Sequence, residues 1–190
     1  MNLSFLPNLL CILRILLVYP VALWILQGRY AEVIGLVALA AFTDLLDGFL
    51  AKQFDWTSAL GRFLDPLADK LLLVTVFVCL SIVGHAPWWL TGLVLLRDLV
   101  IASGAAAYRL LFGPINGRPT IPSKLNTFCQ ILFCLSVLAN MAYNVPPAWW
   151  LTGLGALVFV STFVSGLDYV LTYSRRAAAA SRARRAAAGR

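Results

Sequence analysis

The chain has 190 residues, of which 61% are hydrophobic and only 12% are charged. A soluble domain carries roughly 25% charged residues, so the composition argues against a soluble protein and indicates an integral membrane protein. The net charge is +7, but six arginines are concentrated between residues 175 and 190. Such a cluster is typical of a topology signal that contacts anionic lipid headgroups, so we do not expect nucleic acid as a partner.

Six apolar segments follow one another, at approximately 5–26, 30–50, 63–83, 87–111, 123–144 and 147–171. Each is close to the ~20 residues that a membrane-spanning helix needs. Apart from Arg29, the basic residues outside the segments lie in loops 51–62 and 112–122 and in the C-terminal region. The positive-inside rule makes that side cytoplasmic.

The predicted fold is therefore an all-α integral membrane protein, a bundle of six transmembrane helices with both termini in the cytoplasm. We expect one transmembrane domain at residues 1–174 and an Arg/Ala-rich cytoplasmic tail at residues 175–190. Two identical hexapeptides, Trp88–Leu93 and Trp149–Leu154, fall on the opposite side. Their paired tryptophans are typical of the aromatic belt at a membrane interface.

Four of the eight acidic residues lie at the ends of apolar segments: Asp44 and Asp47 in the second, Asp65 and Asp69 in the third. A carboxylate at the bilayer centre costs roughly 2.5–3.5 kcal/mol, so these positions indicate function. Helical spacing places the members of each pair on one face, and a short loop joins the two segments. Helix capping explains Asp44 and Asp47 poorly, because the macrodipole disfavours anions near a C-terminal end.

Clustered carboxylates repel one another and therefore favour bound cations. A ligand set made only of oxygen atoms points to Mg²⁺ or Mn²⁺, and two pairs of carboxylates can hold two ions, as in phosphoryl transfer. Gly48 follows Asp47 directly, and Gly61 lies one turn before Asp65. The missing side chains at these glycines would let a nucleotide approach the backbone.

The spacing from Asp44 to Asp69 resembles the signature of the CDP-alcohol phosphatidyltransferase family, D-x2-D-G-x2-A-R-x8-G-x3-D-x3-D. One position departs from it: Lys52 stands where the family has arginine, which keeps the charge and loses the bidentate geometry. Pro7-Asn8, Arg14 and Pro20 resemble the opening P-N-x2-T-x2-R-x5-P of glycerol-type members, with cysteine in place of the threonine.

This resemblance implies a reaction and a set of roles. Asp44, Asp47 and Asp65 would bind two divalent cations on the pyrophosphate of CDP-diacylglycerol, and Asp69 would be a shared ligand or the base that accepts the acceptor's proton. The CDP-binding residues would be Asp44, Gly48, Lys52 and Gly61. The acceptor hydroxyl would attack the phosphorus attached to diacylglycerol, and CMP would leave. The family also implies a homodimer.

Three cations in or beside apolar segments, Arg14, Arg97 and Lys124, are candidates for binding an anionic acceptor such as glycerol 3-phosphate or a lipid phosphate. The alternatives are an ion pair within the bundle for Arg97, whose neighbour Asp98 is expected to face elsewhere, and snorkelling to the interface for Lys124.

Two activities fit. The first is phosphatidylglycerophosphate synthesis from glycerol 3-phosphate. The alternative is CMP-forming cardiolipin synthesis from phosphatidylglycerol, because residues 96–98 and 122–127 resemble the cardiolipin branch of the family. A divalent-ion transporter or a membrane scaffold is a remoter alternative, because the acids are expected at one depth and do not form a path across the membrane. We expect a bacterial inner membrane, with the active site facing the cytoplasm, since the chain is compact and shows no transit peptide.

Overall fold

The computed structural model describes residues 6–54, 61–112 and 120–188, and in these ranges it contains six α-helices and no β-strand. The helices are α1 (Leu6–Leu26), α2 (Tyr30–Phe54), α3 (Gly61–Ile82), α4 (Trp88–Phe112), α5 (Ile121–Tyr143) and α6 (Ala148–Ala188). The all-α prediction is confirmed, and each helix corresponds to one of the six predicted apolar segments.

Among the described residues, three of these helices contain apolar stretches long enough to cross a membrane: Trp88–Leu110, Ile121–Tyr143 and Ala148–Thr172. The apolar stretches Cys11–Leu26 and Tyr30–Thr43 are shorter. Large apolar side chains also lie on the outer surface, as shown by Leu16, Tyr19 and Leu99, which are 65%, 73% and 66% exposed. A lipid environment accommodates such side chains and water does not, so the chain is a membrane protein.

The short connections between helices are closed by residues in the left-handed conformation. Gly28 follows the end of α1 with φ 75°, and Gly84 follows the end of α3 with φ 81°. At the first of these turns the amide of Arg29 donates to the carbonyl of Trp24 at 2.9 Å, and the amide of Gly28 donates to that of Ile25 at 3.1 Å. The turn after α3 repeats this pattern of hydrogen bonds, which defines a Schellman motif and explains why glycine stands at both positions.

The chain divides into two compact units. Unit 1 comprises Met1–Pro87 and Cys134–Leu151, and unit 2 comprises Trp88–Phe133 and Thr152–Arg190. In unit 1, α1 packs against both α2 and α3. Fully buried apolar side chains from all three helices form its interior: Cys11, Ile25, Val33, Phe77 and Leu80. In unit 2, hydrogen bonds between side chains connect α4, α5 and α6.

Helix α6 is 41 residues long and continues through the arginine-rich segment as far as Ala188. The predicted boundary at residue 174 therefore falls inside a helix. Residues 177–180 and 186–188 are all alanine. Alanine has the highest intrinsic helix propensity, which explains why the helix does not end where the apolar segment ends.

Candidate active site

Helices α1 and α3 bring together two of the predicted functional residues, Arg14 and Asp69. The Nη1 atom of Arg14 donates a hydrogen bond to Oδ1 of Asp69 at 2.7 Å. The Arg14 side chain is 1% exposed, whereas that of Asp69 is 53% exposed. The ion pair therefore joins a guanidinium inside unit 1 to a carboxylate at its surface.

The buried charge of Arg14 requires a partner of opposite charge. Transferring a charged group out of water costs several kcal/mol unless a partner of opposite charge and hydrogen bonds compensate for it. Asp69 supplies such a partner, although 55 residues separate the two in the chain. The contact depends on the packing of α1 against α3, which brings the Arg14 position opposite the first turns of α3.

The other signature residues lie on the two helices that pack against α1. Asp44, Asp47, Gly48 and Lys52 belong to α2, and Gly61 and Asp65 belong to α3. The side chains of all six lie outside the described residues. The backbone places Asp65 one helical turn before Asp69 and puts both signature helices in unit 1.

The donor set suits a hard divalent cation. All four predicted ligands are carboxylates. They are carried on α2 and α3, and both of these helices pack against α1. Asp69, the one ligand whose side chain is described, is half exposed. Oxygen ligands are those that Mg²⁺ and Mn²⁺ prefer. The residues present therefore fit the cations that the family implies.

A second polar cluster lies in unit 2, around Arg97 of α4. Its Nη1 atom donates to Oδ1 of Asp98 at 2.8 Å, and its Nη2 atom donates to Oγ of Ser123 at 2.8 Å and to Oγ of Ser165. Arg97 and Ser165 are buried, with 6% and 1% of their surface exposed, whereas Asp98 and Ser123 are half-buried. The cluster joins α4, α5 and α6.

The expectation that Asp98 faces away from Arg97 is wrong. Consecutive helical residues point about 100° apart. The long arginine side chain nevertheless bends far enough around the helix to reach the neighbouring carboxylate. The ion pair that was the alternative explanation for Arg97 is thus present, with Asp98 as its acid.

Lys124, the third candidate cation, is exposed and directly follows Ser123 near the start of α5. It therefore adjoins the Arg97 cluster in sequence. The serines at 123 and 165 were not predicted as functional residues. For Ser165 the sequence offered a signal, because polar residues recur at Ser161, Thr162 and Ser165 along one face of the apolar stretch of α6.

Helices α4 and α6 approach closely beside this cluster. A methyl group added at Gly104 would lie 3.0 Å from Cε1 of Tyr169, so the ring occupies the space that a side chain would need. The Tyr169 hydroxyl donates to the carbonyl of Ile101 at 2.8 Å. This contact fixes α6 against α4 within one turn of Asp168 and Ser165.

Comparison with known proteins agrees with the signature. The model of the CDP-alcohol phosphatidyltransferase family matches residues 4–161. A Rattus norvegicus protein named cardiolipin synthase (CMP-forming) is 33% identical over 179 residues, which cover 86% of this chain and 59% of the rat protein. A Mycobacterium tuberculosis protein named probable phosphatidylglycerophosphate synthase is 32% identical over 175 residues, which cover 87% of this chain and 79% of that protein.

A third relative, from Blochmanniella floridana, is named CDP-diacylglycerol–glycerol-3-phosphate 3-phosphatidyltransferase. It is 34% identical over 106 residues, which cover 54% of this chain and 55% of that protein. The chain thus spans about three-fifths of the length of the rat relative and about half of this one. The family match covers most of the sequence and confirms the predicted resemblance. The chain belongs to the CDP-alcohol phosphatidyltransferase family.

Proposed function

We propose that the protein transfers a phosphatidyl group from CDP-diacylglycerol to the hydroxyl of a glycerol-type acceptor and releases CMP. The observation that carries this proposal is Asp69: the last aspartate of the family signature stands half exposed on α3 and is bound by a buried arginine. A carboxylate that is both accessible and held in place suits the removal of a proton from an acceptor hydroxyl.

In the proposed reaction, the acceptor oxygen forms a bond to the phosphorus attached to diacylglycerol. The bond between that phosphorus and the CMP oxygen breaks, and Asp69 takes the hydroxyl proton. Lys52 places a positive charge near the pyrophosphate, and Gly48 and Gly61 leave room for the nucleotide. Asp44, Asp47, Asp65 and Asp69 would hold two divalent cations, Mg²⁺ or Mn²⁺, which supply neutralisation of the charge on the leaving group.

The first candidate for the acceptor is glycerol 3-phosphate, which would make the protein a phosphatidylglycerophosphate synthase. The Mycobacterium tuberculosis relative carries that name, and the chain covers 79% of it. Lys124 supplies an exposed cation for the acceptor phosphate, and Arg97 holds the adjacent Ser123. A single phosphate monoester is a suitable ligand for such a basic segment.

The second candidate is phosphatidylglycerol, which would make the protein a cardiolipin synthase of the CMP-forming type. The name of the rat relative favours it, and so does the resemblance of residues 96–98 and 122–127 to that branch. The acceptor phosphate would then be a diester, and the same Lys124 would bind it.

The proposal extends to the whole molecule. All six helices would cross the membrane, with both termini and the active site in the cytoplasm of a bacterial cell and with two copies forming a homodimer. Residues 1–174 would form the transmembrane domain, and residues 175–190 would extend α6 beyond it. A divalent-ion transporter would contain a similar carboxylate cluster, but it would not release CMP.

The decisive experiment measures CMP release by the purified protein in detergent with CDP-diacylglycerol and Mg²⁺ or Mn²⁺. Glycerol 3-phosphate and phosphatidylglycerol are compared as acceptors. Asp69→Asn is expected to abolish release, as is chelation of the cation. Glu32→Gln is the matched control, because Glu32 is an exposed acid that pairs with Arg29 at 3.0 Å and has no place in the signature. Equal activity of wild type and Asp69→Asn would contradict the proposal.

A further inference from the structure

Arg14 is the most completely buried charged residue among the described side chains, with 1% of its surface exposed. A side chain that binds the acceptor must be accessible from solvent or lipid, and the buried side chain of Arg14 is accessible from neither. The charge of Arg14 is instead directed at Asp69, with 2.7 Å between Nη1 and Oδ1. The side chain of Lys124, by contrast, is exposed.

We infer that Arg14 is a positioning residue for Asp69 and not a ligand of the acceptor. This inference rests on the proposed function, in which Asp69 takes the proton from the acceptor hydroxyl. Arg14 acts from the interior of unit 1 and fixes the direction of a carboxylate whose remaining surface is open to the reactants.

The fixed carboxylate has a mechanistic advantage. An exposed aspartate on a helix samples several rotamers, and only some of them place an oxygen beside the reacting hydroxyl. Anchoring Oδ1 restricts these rotamers before the substrates arrive, so less ordering is required when the hydroxyl is deprotonated.

The pairing explains where the arginine stands in the sequence. Arg14 lies near the middle of α1, whose residues Leu6–Leu26 contain no acid. A guanidinium there gains stability only through a partner on another helix. The packing of α1 against α3 supplies that partner, and the same packing contributes Cys11 and Phe77 to the apolar interior.

The inference is tested with Arg14→Gln and Arg14→Lys, which respectively remove and retain the positive charge. Loss of a residue that orients a catalytic group typically lowers activity 10- to 100-fold. We therefore expect kcat of Arg14→Gln to fall roughly 10- to 100-fold with the KM for the acceptor unchanged. Arg14→Lys is expected to recover part of kcat, because one N–H donor is enough for the observed contact.

Lys124→Gln is the matched control, since it removes a cation that is exposed and proposed to bind the acceptor. Its expected signature is the opposite one, a raised acceptor KM with kcat preserved. If Arg14→Gln gave that signature, Arg14 would be an acceptor ligand and the inference would be overturned. Equal kcat for wild type and Arg14→Gln, per folded protein, would also overturn it.

The double variant Arg14→Gln/Asp69→Asn completes the test. If Arg14 acts through Asp69, the thermal unfolding midpoints of wild type, the two single variants and the double variant in detergent are not additive. Additive midpoints would overturn the inference. The absence of CMP release by the wild type with either acceptor would contradict the proposed function, and the unfolding midpoints would still decide whether the two residues are coupled.

Discussion

Asn126 and Gln130 lie one helical turn apart on α5, and neither has any exposed surface. Their hydrogen bonding differs. The Oδ1 atom of Asn126 accepts hydrogen bonds from the hydroxyls of Ser161 and Thr162, both at 2.9 Å. Neither amide atom of Gln130 has a hydrogen-bond partner within the described part of the chain. A buried amide without partners retains the desolvation penalty that the Asn126 oxygen avoids.

We therefore predict that Gln130→Met increases the free energy of unfolding by about 1 kcal/mol. The thermal unfolding midpoint in detergent should rise accordingly. Methionine has a similar length and flexibility and carries no polar group that needs a partner. Asn126→Leu is the matched change one turn earlier, and it should lower the midpoint because the two α6 hydroxyls lose their common acceptor. A lower midpoint for Gln130→Met would show that its amide has a partner in the folded protein.

At the scale of elements, the contact between α4 and α6 depends on the absence of a side chain at Gly104. We predict that Gly104→Ala lowers the unfolding midpoint, because the new methyl group would lie 3.0 Å from the Tyr169 ring. The ring has little freedom to move, since its hydroxyl donates to Ile101 at 2.8 Å. The shift would lengthen that hydrogen bond and separate the two helices that carry Arg97 and Ser165.

Gly92→Ala provides the control for this prediction. Gly92 lies on the same helix, and within the described part of the chain no atom beyond the adjoining backbone of that helix lies within 4 Å of the position that its methyl group would take. Alanine favours helix over glycine by about 1 kcal/mol. This variant should therefore match or exceed the wild-type midpoint. Destabilisation by Gly92→Ala as large as that by Gly104→Ala would mean that the Tyr169 contact is not the cause.

The sequence predicts these elements well where the signal is local. Apolar length located all six helices. The contacts of Arg14 and Arg97 were harder to predict for two different reasons. The pair Arg14–Asp69 joins residues far apart in the chain and depends on helix packing, which periodicity does not specify. The pair Arg97–Asp98 depends on the reach of a long side chain, which an argument from helical faces leaves out.

The spacing of the four signature aspartates predicted their location in the fold and left their individual roles open. That spacing placed Asp44, Asp47, Asp65 and Asp69 on two consecutive helices, and the structure has both helices packed against α1. Which of these carboxylates holds a cation and which takes a proton stays a prediction, because both roles use the same chemical group. The acceptor is undetermined by sequence for a related reason: glycerol 3-phosphate and phosphatidylglycerol both carry a negatively charged phosphate and a free glycerol hydroxyl, although the first phosphate is a monoester and the second a diester.

At the scale of the whole molecule, the distribution of charge bears on topology. Arg29, the exception to the positive-inside pattern, pairs with Glu32 at 3.0 Å and lies 4.6 Å from the centre of the Trp24 ring. An aromatic ring suits an arginine at a membrane interface. The positive-inside rule counts basic residues, and the single Arg29 is outnumbered by the six arginines between residues 175 and 190. Arg29 therefore does not argue against a cytoplasmic location for the arginine-rich end of α6.

Helix α6 allows the topology to be tested on one element. Its apolar stretch Ala148–Thr172 has 25 residues. At about 1.5 Å per residue such a helix exceeds the ~30 Å of the hydrocarbon core. The pair Trp149-Trp150 marks one end of the stretch, and Arg175 and Arg176 follow the other. We predict that these ends lie on opposite sides of the membrane, with the arginines in the cytoplasm.

The measurement uses single cysteines at exposed positions, Ala148→Cys and Ser174→Cys, and a maleimide that does not cross membranes. The four native cysteines are buried, so the background should be low. In intact spheroplasts we expect Ala148→Cys to react and Ser174→Cys to be protected, with the order reversed in inside-out vesicles. Reaction of both positions from the same side would show that α6 does not span the membrane. The proposal that all six helices cross the membrane would then be wrong.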